Sequence, residues 1–123
     1  MSKDARIDWL PAPEEKDYPA AQSYLSLIID EAEAAAYIKL LRKIPVSTFK
    51  AKDIFRASGL NLLGISNSHV AKDQRKIRDR VKLSPLLLVR DKAHSRVIVA
   101  DGYHRLCAVY SFDEDAMIPC KIV

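Results

Sequence analysis

Residues 96–112 read RVIVADGYHRLCAVYSF. An apolar, β-branched run meets Asp101-Gly102, and a second apolar segment follows. Asp-Gly between apolar runs is a hairpin signal. The second segment decides against a hairpin. Tyr103, Leu106, Cys107 and Tyr110 fall at i, i+3, i+4 and i+7, one face of a helix, and Ala108 adds helix propensity. The stretch therefore predicts a strand over 96–100, a glycine turn and a helix, with His104 and Arg105 in the helix's first turn.

Working outward, PLLLVRD from Pro85 predicts a strand, DKAHS a turn, and MIPCKIV a last strand, with Pro119 marking an edge or a strand start. Upstream the pattern is helical. Residues 19–29 form a first helix with Pro19 in its first turn. Asp30 caps a second, with Glu33 completing a D-x-x-E start signal; Ala34, Tyr37, Ile38 and Leu41 give its apolar face and Pro45 stops it. A third helix spans 49–58, capped by Ser47 or Thr48 and closed by Gly59. NLLGISN is a loop, and Ser68 caps a fourth helix over 69–80 with a narrow apolar stripe. Four helices followed by β-β-α-β predict an α+β domain, N-terminal helices packed on a small mixed sheet. The expectation is a single domain over 1–123: an extended lead-in at 1–18, a mainly helical part at 19–81 and the β-β-α-β core at 82–123.

The chain has 123 residues, nearly half of them apolar, enough for one core. No apolar run approaches the roughly 20 residues of a membrane span. MSKDARIDWLPAPEEKDYP lacks the apolar core of a secretory signal, so a cytoplasmic protein without membrane contact is expected. Cys107 and Cys120 lie inside apolar segments and read as buried thiols, and neither they nor the three histidines have metal-ligand spacing. Trp9 sits in a polar stretch, ready to dock on the domain or on a partner.

Charge is uneven. Residues 1–40 carry net −4, residues 41–92 net +9, and residues 93–123 net −1. A cationic middle suits an anionic partner, a nucleotide, nucleic acid or phosphoprotein, and equally a solvated surface. The run KDQRKIRDRVK, residues 72–82, has six basic and two acidic residues, with Lys72, Arg75, Lys76 and Arg80 broadly on one helical side. Such a face would make salt-dependent contacts to nucleic-acid phosphates. It equally reads as a solvated face with internal pairs, Asp73 to Lys76 and Asp79 to Arg75. No aromatic residues interleave it, so base stacking is not indicated.

A strand that runs through a Gly turn into a helix start makes a phosphate cradle, because first-turn N–H groups are unpaired and carry partial positive charge. Gly102 would let a ligand approach the backbone, Arg105 would offer a bidentate fork and His104 a pH-sensitive donor. The alternative is architectural: Asp101 caps, Gly102 relieves the turn, His104 packs, and Arg105 pairs with Asp101 or a nearby acid.

DGYHRLCAVY after an apolar strand resembles the second signature of the ParB/sulfiredoxin fold, a strand leading into Gly-x-His/Arg-Arg at a helix start. KLSPLLLVRD is similar to that fold's first strand and IPCKIV to its last, so the resemblance covers about residues 82–123. It implies a nucleotide pocket for ATP, CTP or ADP with Mg2+, in a superfamily where some members hydrolyse or transfer phosphate. Gly102, Tyr103, His104 and Arg105 would hold the phosphates, and Asp101 would position the turn or help hold the metal. Lys82 and Ser84 would flank the phosphates or base, and Asn67-Ser68-His69-Val70 falls where related proteins carry further phosphate contacts. Sulfiredoxins place Cys directly before His-Arg; Tyr103 stands there in this chain, so their thiol chemistry is not expected. The helix-turn-helix domain that follows in chromosome-partition members has no counterpart in these 123 residues.

Two functions therefore stand side by side. One is a nucleotide-phosphate-binding protein in which Asp101, His104 or His69 could serve as base, with Arg105 and magnesium neutralising phosphate charge and no nucleophile evident. The other is a non-catalytic nucleic-acid-binding or regulatory module using the basic helix over 69–82. In a hybrid of the two, that helix walls the nucleotide pocket, with Lys82 linking the stretches.

Overall fold

The computed structural model describes residues 6–64 and 66–123; the first five residues of the lead-in and Ile65 in the predicted loop lie outside it. In chain order the elements are α1 (Asp17–Ile28), α2 (Glu31–Lys43), β1 (Ser47–Lys50), α3 (Ala51–Ser58), α4 (Ser68–Arg78), β2 (Leu86–Asp91), a 3₁₀ turn (Lys92–His94), β3 (Arg96–Asp101), α5 (Tyr103–Phe112) and β4 (Met117–Ile122). The protein is α+β, and its four strands form one mixed sheet in the order β1-β4-β2-β3. The two outer pairings are antiparallel and β4 runs parallel to β2.

The run Leu86–Val89 explains how the layers assemble. All four side chains are buried, as expected of a strand covered on both faces. Leu86 and Leu88 point into a core shared with α3, α4 and α5. Leu87 and Val89 point into a second core with Tyr18, Ala21 and Leu25 of α1 and Ala34, Ile38 and Leu41 of α2. The first two helices thus cover one face of the sheet and the last three cover the other.

Asp30 caps α2 as expected, its carboxylate accepting from the N–H groups of Ala32 and Glu33 at 3.1 and 3.3 Å. Gly59 closes α3 in the left-handed region, at φ 68°. Three local expectations are corrected. Residues 47–50 form a strand rather than a cap and first helical turn, because Ser47–Lys50 pair with Cys120–Met117 of β4. Helix α3 then needs no Ser or Thr cap: its N–H groups at Ala51 and Lys52 donate to the carbonyls of Ala116 and Glu114, both at 2.9 Å. Asn67, not Ser68, caps α4, its Oδ1 accepting from His69 N and Val70 N at 2.9 and 3.2 Å. Pro119 lies in an interior strand, where its missing N–H is tolerated because β4 pairs with β2 only from Cys120 onward.

The lead-in is docked. Leu10 N donates to Leu83 O and Leu83 N to Asp8 O, each at 2.8 Å, and Trp9 packs against the core beneath α3–α5. Helix α4 ends in a Schellman motif, Val81 N to Lys76 O at 2.9 Å and Arg80 N to Ile77 O at 3.1 Å. Arg80 occupies the left-handed position at φ 61°, and its Nε donates to Asp8 at 3.0 Å.

Candidate functional site

The turn between β3 and α5 is built as its sequence requires. Asp101 ends the strand, Gly102 takes φ 110°, and the first intrahelical bond runs from Leu106 N to Gly102 O at 2.9 Å. Gly102 has no side chain to cap this helix, and among the described residues none bonds the amides of residues 103–105. A Cβ on Gly102 would stand 2.8 Å from Arg105 Nη2 and 2.8 Å from Leu86 Cγ. The side chains that approach this backbone where a Cβ would stand are the chain's own Arg105 and Leu86, while Gly102 also borders the cleft described below.

Arg105 is turned inward. Its Nη2 donates to Asp101 Oδ2 at 2.9 Å and to Pro85 O at 3.4 Å, and lies 3.7 Å from Asp17 Oδ2. Its Nε is buried and has no hydrogen-bond partner among the described residues. Asp17 is buried in the first turn of α1 and accepts a hydrogen bond from Ser84 Oγ, which itself accepts from Glu14 N at 3.0 Å. One guanidinium thus serves two carboxylates. Burial lifts the Asp101 carboxyl above its ordinary pKa, against the opposing pull of Arg105. Asp17 went unnoticed in the sequence as one acid among several in a proline-containing lead-in.

The open side of the turn is a cleft of about 280 Å³ where α4 and the start of α5 converge. Lys72, Lys76 and Asp73 of α4 line it, with Lys16 from just before α1, and with Asp101, Gly102, His104 and Arg105 of the β3–α5 turn. His69 and His104 each occupy the second position of their helix. Their ring centroids are 4.8 Å apart with a 40° tilt. Burial holds the His104 imidazole below its ordinary pKa; the charge of His69 pushes the same way, and Asp73 opposes it.

The sequence candidates divide accordingly. Asp101, Gly102, His104, Arg105, His69, Lys72 and Lys76 meet in this one cleft, the hybrid arrangement of turn and basic helix. Ser84, Lys82 and Tyr103 do not line it. Ser84 is buried among Asp17 and Glu14. Lys82 is exposed, its charge felt by Asp8. Tyr103 packs toward the core, where burial and a hydrogen bond to Cys107 push its hydroxyl up to about 12. Of the basic set, Arg75 projects into solvent and Arg80 is engaged by Asp8. The pair Asp73–Lys76 forms at 4.0 Å. Lys16 is a cleft residue that the sequence reading missed; it is a lone cation in an acidic segment.

Both cysteines are buried. Cys107 Sγ accepts from Leu63 N at 3.5 Å, and burial pushes the Cys120 thiol up to about 11. Cys120 is therefore no poised thiolate. His94 is exposed and pairs with Asp91 at 2.9 Å. Among the described residues, no group of three or more His, Cys, Asp or Glu side chains is arranged to hold a metal ion, and no helix is long and apolar enough to cross a membrane.

The cleft offers an uncapped helix N-terminus, three lysine ammonium groups and two imidazoles, an arrangement suited to attracting an oxyanion. Comparison of the chain with protein-family models, with curated proteins and with solved structures found no match.

Proposed function

We propose that the cleft between α4 and α5 binds the phosphate groups of a nucleotide, as the resemblance to the ParB/sulfiredoxin fold implies. The observation that carries this reading is the convergence of Lys16, Lys72, Lys76, His69 and His104, from separate stretches of chain, on the uncapped start of α5. Arg105 is taken up by Asp101 and Asp17, so the field for an entering anion comes from Lys16, Lys72 and Lys76 set against Asp73.

Roles follow from the contacts. Lys72, Lys76 and Lys16 supply charge, and the amides of residues 103–105 supply donors. Arg105 organises Asp101 and Asp17 and stands behind the turn. With Asp101 committed to Arg105, His104 and His69 remain as groups able to exchange a proton with a bound phosphate or an attacking water. Asp101 and Asp73 make no ready cage for Mg2+, so the ion that the resemblance implies would be held chiefly by the phosphates, as Mg2+ commonly is. Hydrolysis or phosphoryl transfer is an extension of the same reading, with water or a substrate hydroxyl as nucleophile.

Thermal unfolding with ATP, CTP, ADP and GTP, each with magnesium, tests the proposal. A ligand at about a hundred times its dissociation constant stabilises by roughly 2.7 kcal/mol, a rise of several degrees in a domain of this size. The rise should shrink in Lys72→Gln. No rise with any of the four would remove the reading. The alternative, nucleic-acid binding by the basic helix, keeps Lys72, Arg75 and Lys76 as exposed or cleft-facing cations. A salt-dependent gel shift lost in Arg75→Gln, in a protein blind to nucleotides, would favour it.

A further inference from the structure

We infer that the cleft recognises a short phosphate chain by itself and leaves the rest of the ligand in solvent, so that its ligand class is oligophosphates, whether free or carried on a nucleoside. The inference rests on the reading of the cleft as a phosphate site and narrows what that site discriminates.

The cleft's lining carries it. Among the described residues every lining position is Lys, Arg, His, Asp or Gly, with no aliphatic or carbocyclic aromatic side chain. Pockets that read a small molecule's body are mostly apolar with a few polar groups, and span about 300–1,000 Å³. This cleft, at about 280 Å³ near the small end of that range, has the reverse composition among its described residues. A nucleobase needs a flat apolar surface to stack on or a fixed edge to pair with. The flat groups present, His69 and His104, face each other across 4.8 Å. The nearby phenol, Tyr103, is committed to the core side.

Apolar lining lies elsewhere. One cleft is lined chiefly by Phe49, Ile54, Leu88, Val97 and Ile122; a larger cleft of mixed lining sets Tyr37, Val89 and Ile98 beside Arg90, Asp91 and Arg96. Neither shares a lining residue with the cationic cleft. Among the described residues, a ligand anchored by its phosphates therefore meets no built surface for its base.

Isothermal titration at fixed ionic strength tests this, with tripolyphosphate, ATP, GTP, CTP and adenosine, each without and with magnesium. Dissociation constants for the four phosphate ligands should agree within about threefold, and adenosine should not bind. A stacked base would favour a nucleotide by roughly tenfold or more. Lys72→Gln and His104→Gln should weaken all four alike, and Lys39→Gln, on the exposed side of α2, should leave them unchanged. One nucleotide binding at least tenfold tighter than tripolyphosphate would overturn the inference and leave the phosphate site standing. Equal loss in Lys39→Gln would overturn it in favour of diffuse surface charge. Absence of binding by all four would remove the phosphate site and the inference together.

Discussion

Gly102 and Gly59 both have positive φ, 110° and 68°, and differ in what surrounds them. A Cβ at Gly59 meets nothing within 4 Å, and one at Gly102 meets Arg105 Nη2 and Leu86 Cγ at 2.8 Å. The pair separates backbone strain from crowding. An L-residue in left-handed conformation costs about 1–2 kcal/mol, partly offset by about 0.4–1 kcal/mol from a stiffer unfolded chain. Gly59→Ala should therefore destabilise by about 1 kcal/mol or less. Gly102→Ala adds overpacking of about 1–3 kcal/mol, because Leu86 is fully buried and the guanidinium can yield only by stretching its 2.9 Å bond to Asp101. The total is about 1–4 kcal/mol, or roughly 4–16 °C in melting temperature for a domain of this length. Thermal and urea unfolding of both variants measure the difference. In an Arg105→Ala background part of the Gly102→Ala penalty should disappear, since one of the two crowding atoms is gone, and a double-mutant cycle reads that coupling. Equal, small losses at the two glycines, or strict additivity with Arg105→Ala, would refute the claim that Arg105 fills the space above Gly102.

Arg105→Ala should itself destabilise strongly, by about 3 kcal/mol or more, because it strands the half-buried Asp101 and the buried Asp17 without their shared cation; urea unfolding checks this, and Asp17→Asn should recover part of the loss. The pH dependence of stability should carry the signature of His104. Its folded pKa lies below the ordinary 6.5, so the unfolded chain binds more protons in that window, and stability present above pH 6.5 is lost as the pH falls toward the folded value. Between pH 7.5 and 5.5 the wild type should therefore lose more melting temperature than His104→Gln, and parallel curves would contradict the assignment.

The strand–turn–helix at 96–112 was legible because its periodicity switches from a continuous apolar run to i, i+3, i+4, i+7 at a single glycine. The buried run at 86–89 was legible for the related reason that only a strand covered on both faces is apolar at four successive positions. β1 was not legible. Its four residues are all exposed, so no inward-facing alternation marks them, and their strand character comes from β4, some 70 residues away in sequence. Pro119 misled for the same reason: the rule that confines proline to edges is a rule about which N–H is needed, and that depends on where β2 begins to pair. The two histidines were each placed at a helix start from local signals, but no local signal says that two helix starts meet.

Arg105 makes the pairing with Asp101 that the architectural reading of the DGYHR turn expects. The residues DGYHR resemble a phosphate-binding turn, and a cation three residues after the glycine invites a direct role on the ligand. In the folded chain that cation is shared between Asp101 and Asp17, and it stands 2.8 Å from where a Cβ on Gly102 would be. One positive charge set against two carboxylates leaves no surplus at the turn. The positive field of the cleft must then originate from Lys72 and Lys76 on α4 and from Lys16 beside α1, none of which belongs to the motif. A test of ligand binding that mutates Arg105 would therefore confound lost affinity with a disturbed turn. The exposed Lys72, free of any carboxylate within 4 Å among the described residues, isolates the electrostatic contribution that the proposed function requires.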